Sequence, residues 1–454
     1  MGDVGRDGGR PPEAGGTGSA TGYHVDARDG LVLAPFRGVR FGPAFAGRLG
    51  SVTSPPYDVI DDEALDALRR SDPHNVVRLI LPESARPDEA GRLFEQWLRE
   101  QILVRDTEPA LYGYEQRRPD GHLQRGLLGA VRLHPEHDRV ILPHEDVMPG
   151  PVAGRMAVMR ACSANLEPIL LSYDGGGAAS QVLNETATEH VLAVARTPDG
   201  TAHRLWAIRG SDELHAIAED LRPRQALIAD GHHRYAAYLG LQAERSPGRR
   251  AEVDLDPGTD PWNHGLALLV DHREYPLQVS AIHRVVSGVS LAALLSALET
   301  TTVSPRFAVD RFGRDADAAR RALEAHRRPR GVARRAFLVT DGRTWVLLRA
   351  DTPEQTSTPT PGRPHLDDPA YLDSGLLHDV LIGRILRVPE NRIAYVHDAD
   401  QAVRSAGPDT VAILLNPIPL ETVQEFARRG VRMPRKSTSF GPKPLTGLVM
   451  RSIP

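Results

Sequence analysis

The sequence predicts a protein of mixed α/β (α+β) class that contains more than one domain. Apolar segments typical of strands alternate along the chain with amphipathic segments typical of helices, and no internal repeat is visible. The 454 residues exceed what one ordinary core holds, so two or three domains are expected. Hydrophobic residues make up 41% and charged residues 25%, which is typical of a globular protein rather than a disordered one.

The chain divides into three predicted segments. Residues 1–29 are rich in Gly, Pro, Asp and Arg and have almost no apolar periodicity, which predicts a disordered tail. Residues 30–290 are predicted to form an α/β domain, and residues 291–454 a C-terminal α/β domain. A Pro/Thr-rich linker is expected at 351–364 within the second domain.

The elements of the first domain follow in chain order. Its predicted strands share β-branched or alternating apolar residues, and they are LVLAPFRGVRF, NVVRLILP, the hairpin pair ALYGYEQRR and QRGLLGAVRLH, RVILP, EPILLSY, ALIAD and WNHGLALLVDH. Its predicted helices are EALDALRRS, DEAGRLFEQWLREQILVRD, AGRMAVMRACSAN and YAAYLGLQAE. Asp61 or Asp62 can cap the first of these helices.

The second domain is predicted to open with the helix LAALLSALET. The later elements are the hairpin RAFLVTDGRTWVLLRA, the helix SGLLHDVLIGRIL, the strand VAILLNP and the helix LETVQEFARRG. The final segment KSTSFGPK has no helical periodicity and lies between Pro434 and Pro442, so it is predicted to be a stiff loop.

Composition excludes several classes of protein. A net charge of -4 argues against nucleic-acid binding, and no apolar run reaches the roughly 18 residues of a membrane span. No signal peptide is visible, and the single cysteine, Cys162, cannot form an internal disulfide. We therefore expect a cytoplasmic protein with a small-molecule partner, and its oligomeric state stays open.

The two lysines of the chain lie in the final segment. Lys436 and Lys443 are seven residues apart, and all other basic side chains among the 55 are arginine. Lysine is a compact point charge, unlike the planar fork of arginine. A stiff loop would make Lys436, Ser437 and Thr438 a compact donor cluster for phosphate or carboxylate. The alternative is that Lys436 pairs with a buried carboxylate at a domain interface.

The segment ALIADGHHRYAAYLGL predicts a strand, a tight turn and a helix. Gly231 would let the backbone approach a ligand, and the N-terminus of the helix favours phosphate. His232, His233 and Arg234 could supply charged donors to phosphate oxygens. The alternative is a turn whose Asp230 caps the helix beside solvated histidines.

Further candidates follow other predicted strands and loops. Asp58 is either a general base or Mg²⁺ ligand, or the cap of a turn. Glu145 could bind Mg²⁺ and His144 could contact phosphate, or both could lie in a solvated loop. A second pair of residues, His283 and Arg284, either lines the same cleft or is structural.

Metal and hydrolase motifs are absent from the sequence. Zinc would require four histidines to converge by folding, namely His232, His264, His272 and His283, because no cysteine cluster or HExxH motif exists. No G-x-S-x-G or Walker motif is present either.

The DGHHR turn resembles the phosphate-binding signature of the ParB/sulfiredoxin superfamily, and a similar DGH-x-R turn is found in its free serine kinases. The resemblance implies a nucleotide-binding core in which Gly231, His233 and Arg234 cradle phosphate. It also implies that Asp230 orients the turn or helps hold a metal.

A broader resemblance covers the chain from about Leu31 to Ile453. The motifs PPYDVI, NVVRLILP, LYGYEQ, LPHED, ADGHHRY, IHRVV and MPRKSTSFGPKPLTGL are similar to those of domain-of-unknown-function family 1015. The chain departs from the family at Val147, where Thr is usual, and at Arg435, Ser439 and Gly441, which replace Gln and two Tyr. The two missing rings argue against stacking on a substrate in that loop.

Together these resemblances imply a nucleotide-dependent phosphotransferase that uses ATP or ADP with Mg²⁺ and phosphorylates a small hydroxyl metabolite, with free serine as the best guess. Asp58 would activate the acceptor, Asp230 or Glu145 would hold Mg²⁺, and Lys436 would neutralise the transferring group. Lys443, Ser437 and Thr438 would complete the phosphate-binding set. Two alternatives stay open: a phosphomonoester hydrolase acting on a substrate such as phosphoserine, and a non-catalytic nucleotide-binding regulator.

Overall fold

The computed structural model describes residues 30–83, 86–245, 260–327, 335–350 and 372–453. The predicted tail at 1–29 and the predicted linker at 351–364 lie outside the described residues. Helices and strands are interleaved along the described chain, which confirms the mixed α+β class.

The strands vary from two to ten residues in length. In chain order they are β1 (Leu33–Ala34), β2 (Gly38–Phe41), β3 (Leu103–Arg105), β4 (Leu111–Arg117), β5 (Leu123–Arg132), β6 (Ile141–Leu142), β7 (Ala164–Asn165), β8 (Ile169–Tyr173), β9 (Val191–Arg196), β10 (Ala202–Ile208), β11 (Ala226–Asp230), β12 (His264–Asp271), β13 (Gln278–Ala281), β14 (His283–Ser287), β15 (Phe307–Gly313), β16 (Ala336–Thr340), β17 (Trp345–Ala350), β18 (Ile393–Val396), β19 (Thr410–Leu414), β20 (Thr438–Gly441) and β21 (Met450–Ser452).

The helices connect these strands. The α-helices are α1 (Leu49–Val52), α2 (Asp62–Ser71), α3 (Val77–Ile80), α4 (Pro87–Arg99), α5 (Pro149–Cys162), α6 (Ala178–Glu185), α7 (Ser211–Leu221), α8 (His232–Arg245), α9 (Leu291–Thr300), α10 (Ala316–Ala325), α11 (Asp373–Gly375), α12 (Ala399–Arg404) and α13 (Leu420–Arg429). The 3₁₀ turns are Pro43–Arg48, Tyr57–Val59, Glu136–Asp138, Thr186–Thr188, Pro261–Asn263 and Glu390–Arg392. The predicted helix SGLLHDVLIGRIL is a π-helix over Leu376–Leu386.

The larger sheet has nine strands in the order β6-β11-β8-β12-β5-β4-β10-β9, with β1 paired to β5. It is buried on both faces, because alternate residues of β5 belong to different cores. Leu127 and Val131 pack on one face together with α8, and Leu128 and Ala130 pack on the other. The predicted hairpin of β4 and β5 is confirmed by their antiparallel register.

A second sheet has six strands in the order β15-β17-β16-β19-β14-β18. Its faces are covered by two further apolar clusters, one with the π-helix and one with α10 and α12. The division at residues 290 and 291 remains a prediction. Strand β14, from His283 to Ser287, belongs to this sheet. The chain later returns to the first part of the molecule, where β21 joins a separate four-stranded sheet in the order β3-β2-β21-β7.

One predicted helix is shorter than expected, because DEAGRLFEQWLREQILVRD is helical only as far as Arg99 and its end forms strand β3, Leu103–Arg105. Two further local predictions were wrong. The segment NVVRLILP contains the short helix α3 instead of a strand, with Val77, Leu79 and Ile80 fully buried. A continuous apolar run does not distinguish a buried strand from a buried helix. Asn75 supports the start of this helix, because its side chain accepts from the backbone N–H of Val77 and donates to the backbone carbonyl of Thr53.

The second wrong prediction is the stiff loop KSTSFGPK. Residues Thr438–Gly441 form strand β20, which pairs antiparallel with β13. A four-residue strand is too short to show a period in the sequence. Lys436 and Lys443 therefore flank a strand, each two residues beyond one of its ends. In the described part of the chain, no helix is long and apolar enough to cross a membrane.

Candidate active site

The junction of β11 and α8 has the predicted strand–turn–helix form. Gly231 has φ +97, in the left-handed region, and a Cβ at this position would lie 2.9 Å from Cγ2 of Ile169. The positive φ and the lack of space for a Cβ both require glycine at this position. Asp230 ends the strand, and its carboxylate binds side-chain cations.

Lys443 joins two candidate carboxylates. Its Nζ lies 2.6 Å from Oδ1 of Asp230 and 2.9 Å from Oδ2 of Asp58. Burial acts to lower the pKa of Lys443, but the two aspartates outweigh it and raise that pKa. Partial burial acts to raise the pKa of Asp58, but Lys443 and Arg234 outweigh it and lower the pKa to about 2. Lys443 and Asp58 are therefore both charged at neutral pH.

Arg234 lies behind this pair, in the protein interior. Its side chain is 1% exposed and donates to Oδ2 of Asp230 at 2.5 Å and to the carbonyl of Pro168 at 2.6 Å. Glu167 is buried beside it and accepts from the backbone N–H of Tyr57 at 2.9 Å. The guanidinium expected to bind phosphate thus has internal partners in this structure and does not reach a surface.

The histidines of the turn do not present charged donors. Nε2 of His232 accepts from the backbone N–H of His144 at 3.3 Å, and Nε2 of His233 accepts from that of Met148 at 3.0 Å. Burial lowers the pKa of both side chains. They are therefore neutral acceptors that fasten the loop after β6 to the start of α8. This corrects the expectation of charged donors.

His144 lies in the same buried group. Its ring is edge-on to that of His232, with 4.5 Å between centroids, and its Nε2 lies 3.2 Å from the hydroxyl of Thr438. Burial lowers its pKa to about 3. The structure places His144 between the DGHHR turn and β20, where it is neither solvated nor charged.

Glu145 is the carboxylate of this group with unused hydrogen-bonding capacity. It accepts from the backbone N–H groups of Ser437 and Thr438, while its Oε1 is buried with no partner among the described residues. Burial raises its pKa to about 7, against the opposing effect of Lys436. Near neutral pH the Glu145 carboxyl therefore exists in both protonation states.

Lys436 lies in the turn two residues before strand β20 and has a left-handed backbone conformation, with φ +56. Its carbonyl accepts from Nη2 of Arg284 at 3.0 Å, and Arg284 also donates to the carbonyl of Ile282 and lies over the ring of Tyr395. Burial lowers the pKa of Arg284 to about 10. Arg284 thus holds the backbone of Lys436. The Lys436 ammonium faces the cleft and makes no ion pair with the described residues.

The rest of the predicted donor cluster points into the protein. The hydroxyl of Ser437 contacts that of Ser374 at 2.7 Å and donates to the carbonyl of Pro434, and the Thr438 hydroxyl contacts His144. Both residues are buried. Of the expected trio, Lys436 alone reaches the cleft. His283 lies away from it, because its Nδ1 accepts from the backbone N–H of Leu415 within the six-stranded sheet.

A cleft of about 1590 Å³ lies over Asp58 and the two lysines. One wall comes from the larger sheet and its helices, including Val59 and Val194, two of the exposed large hydrophobic side chains. The opposite wall comes from β18 and α12. The charged or aromatic residues that line the cleft are Arg48, Asp58, Asp61, Arg118, Arg196, Asp199, His203, Tyr395, His397, Asp398, Lys436, Phe440 and Lys443.

His397 and Tyr395 were missed from the sequence. Both line the cleft from the second sheet. Burial lowers the pKa of His397, and the nearby lysines Lys443 and Lys436 lower it further. The segment YVHDAD contains no recognisable motif, and only the folded structure brings it close to the lysines. The sequence alone therefore could not identify these two residues.

The arrangement of donors does not fit Mg²⁺ held by Asp230 and Glu145. Both oxygens of Asp230 are already ion-paired, and Glu145 is partly protonated, whereas Mg²⁺ takes ionised oxygen ligands. Within the described ranges, no group of three or more His, Cys, Asp and Glu residues could hold a metal ion. The Mg²⁺ site predicted from the sequence is therefore corrected, and zinc has no site in the described part of the chain.

A family model described as "Protein of unknown function (DUF1015)" matches residues 33–368. The chain belongs to this family. The matched range of this DUF1015 protein includes Asp58, Glu145 and the DGHHR turn, while the lysine segment follows it. No curated protein matches the chain.

Several solved structures resemble the DUF1015 chain weakly. A free serine kinase mutant in complex with AMP is 14% identical, with a TM-score of 0.35, and the match covers 69% of this chain and 88% of that one. A second free serine kinase mutant, in complex with ADP, gives the same identity and coverage with a TM-score of 0.34. SbnI from Staphylococcus aureus, truncated at its C-terminus, is 12% identical with a TM-score of 0.34 over 70% of this chain and 85% of that one. Scores this low carry no argument about function.

Proposed function

We propose that this DUF1015 protein is a nucleotide-dependent phosphotransferase that acts on a small hydroxyl-bearing metabolite. One observation carries the proposal: at the cleft Lys443 joins Asp58 to the Asp230 carboxylate beneath it, and Lys436 lines the same cleft without an ion pair to the described residues. Phosphoryl transfer depends mainly on positioning and on fixed charges that stabilise the transferring group. In this proposal Asp58 would supply the positioning and Lys436 the fixed charge.

Lys436 is the group that would meet the transferring phosphoryl. Its ammonium has no internal partner among the described residues, and Arg284 holds its backbone in place. A fixed cation in a partly desolvated cleft stabilises the developing negative charge without reorganisation. When the Glu145 carboxyl is protonated it is neutral, so it does not compete with a bound ligand for the positive charge of Lys436.

Asp58 is the group that would orient the acceptor. Its side chain is 29% exposed at the cleft, and Lys443 fixes one of its oxygens. The acceptor hydroxyl would donate its hydrogen bond to Asp58, its oxygen would form the new bond to phosphorus, and the bond between phosphorus and the nucleotide oxygen would break. The hydroxyl proton would pass to the carboxylate and then to water. A pKa of about 2 makes Asp58 an orienting acceptor rather than a strong base.

The N-terminus of α8 supports a nucleotide phosphate nearby. This 14-residue helix begins directly after Gly231, so free backbone N–H groups and the positive end of the helix dipole lie beside Asp230. The resemblance of DGHHR to the turn of free serine kinases suggests ATP or ADP as donor and free serine as the first acceptor to test.

A product search tests the proposal. The purified protein is incubated with magnesium ATP or magnesium ADP and a pool of small metabolites that includes serine, and mass spectrometry looks for a new phosphate ester. The proposal requires an ester whose formation needs nucleotide. Phosphate release without nucleotide would instead indicate a hydrolase, and nucleotide binding without any turnover would indicate a regulator.

A further inference from the structure

A second cavity of about 400 Å³ lies apart from the large cleft, between α13 and the larger sheet. Three of its residues are neighbours across the sheet, because Leu227 is in register with Leu142 on one side and with Ser172 on the other. Their side chains therefore share one face. Helix α13 covers that face with Gln424 and Arg428, one helical turn apart.

Ser172 gives this cavity an unused polar group. Its side chain is 2% exposed, and its hydroxyl has no hydrogen-bond partner among the described residues. Leaving a buried hydroxyl unpaired costs free energy. A bound molecule that accepts a hydrogen bond from Ser172 would recover that cost.

Of the charged residues around the cavity, Arg428 is exposed and close enough to Asp174 to help lower its pKa, but it lacks an ion-pair partner among the described residues. Asp174 is paired with Arg273 at 2.9 Å, and Arg224 is paired with Asp220 at 2.5 Å. Arg428 lines the cavity and makes no ion pair within the described ranges. The cavity therefore carries a net positive charge.

Two further polar side chains, those of Gln424 and His272, line the cavity. The amide nitrogen of Gln424 lies 3.3 Å from Nε2 of His272, at the same opening. Both side chains can donate hydrogen bonds to a molecule held there. The floor under them is apolar, since it is made by Leu142 and Leu227.

We propose that this cavity binds a small organic carboxylate with a short aliphatic chain. The carboxylate would meet Arg428, the amide of Gln424 and the hydroxyl of Ser172, and the chain would lie on Leu142 and Leu227. The residues involved are distinct from those of the large cleft, so the proposal does not depend on the phosphotransferase.

Ligand-observed NMR titration tests the proposal with butyrate as the probe, and with butylamine and butan-1-ol at equal concentration as matched probes. Butyrate should bind saturably, and the amine and the alcohol should not. Arg428→Gln should weaken butyrate binding about tenfold, since a charge-assisted hydrogen bond is lost. Ser172→Leu should abolish it by filling the cavity.

Arg321→Gln is the matched control. Arg321 is an exposed arginine of α10, remote from the cavity, and its replacement should leave butyrate affinity unchanged. Circular dichroism would establish that each variant is folded. If Ser172→Leu does not fold, Arg428→Gln still tests the proposal. The proposal is overturned if butyrate does not bind the wild type, if butylamine binds as well, or if Arg428→Gln binds butyrate with unchanged affinity.

Discussion

The ammonium of Lys443 lies 2.6 Å from the carboxylate of Asp230 and 2.9 Å from that of Asp58, two residues that are 172 positions apart in the sequence. Because Arg234 holds the other oxygen of Asp230, a chain of alternating charges runs from Asp58 and Lys443 at the cleft into the protein interior. Lys436 stands beside it without an ion pair to the described residues. The two lysines thus differ in their surroundings: Lys443 is ion-paired, and Lys436 is the one that we propose meets a ligand.

Lys443→Met should destabilise the protein strongly. The side chain is 14% exposed, and its loss leaves two aspartates without their shared cation. Breaking a buried ion pair by removing one partner costs about 3–5 kcal/mol. Urea unfolding would measure the loss. Lys436→Met is the matched control and should change the free energy of unfolding by less than about 1 kcal/mol, because Lys436 has no such pair. Equal losses of unfolding free energy in the two variants would contradict the structural role given to Lys443.

Lys436→Arg should harm activity more than stability. The planar fork of arginine has a different shape and hydration from the compact ammonium, and Arg284 fixes the backbone that carries it. We expect kcat to fall by about tenfold or more with little change in the urea midpoint. Steady-state kinetics of the phosphotransferase reaction would measure this, and a fully active variant would show that the lysine is incidental.

Gly231→Ala should destabilise the turn. The residue has φ +97, and the added Cβ would meet the side chain of Ile169 at 2.9 Å. A strained backbone position of this kind costs about 1–3 kcal/mol. Gly154→Ala is the matched control, since Gly154 lies inside α5 with open space around the new Cβ. Helix propensity predicts that this change is neutral or stabilising by up to about 1 kcal/mol. Thermal unfolding of both variants would decide, and a neutral Gly231→Ala would contradict the structure of the turn.

Glu145 should make the free energy of unfolding depend on pH. Its folded pKa, about 7, is above its ordinary value of 4.5, so the folded state holds the proton more tightly. Its contribution is therefore complete below pH 4.5 and is lost as pH rises towards 7, by at most about 3 kcal/mol. Glu145→Gln mimics the protonated form. The difference in unfolding free energy between variant and wild type should grow over this range, and parallel pH profiles would contradict the raised pKa.

The strand–turn–helix around Gly231 could be predicted because an apolar strand, a turn glycine and an amphipathic helix are local signals. The pairing of Lys443 with Asp58 could not be predicted, because the two residues are 385 positions apart and only the fold brings them together. The charge state of His232 and His233 also depends on burial, which the sequence does not reveal. Helix α3 was missed because a buried helix and a buried strand have the same apolar composition.

The central claim, transfer of a phosphoryl group to a small hydroxyl compound, is tested most directly by following labelled phosphate. The protein is incubated with serine and magnesium ATP labelled at the γ-phosphate, or magnesium ADP labelled at the β-phosphate. The account predicts that the label moves from nucleotide to phosphoserine, and that Lys436→Met abolishes the transfer. With serine alone, label that stays on the nucleotide or appears only as inorganic phosphate would exclude serine as acceptor. The same result across the whole metabolite pool would contradict the phosphotransferase.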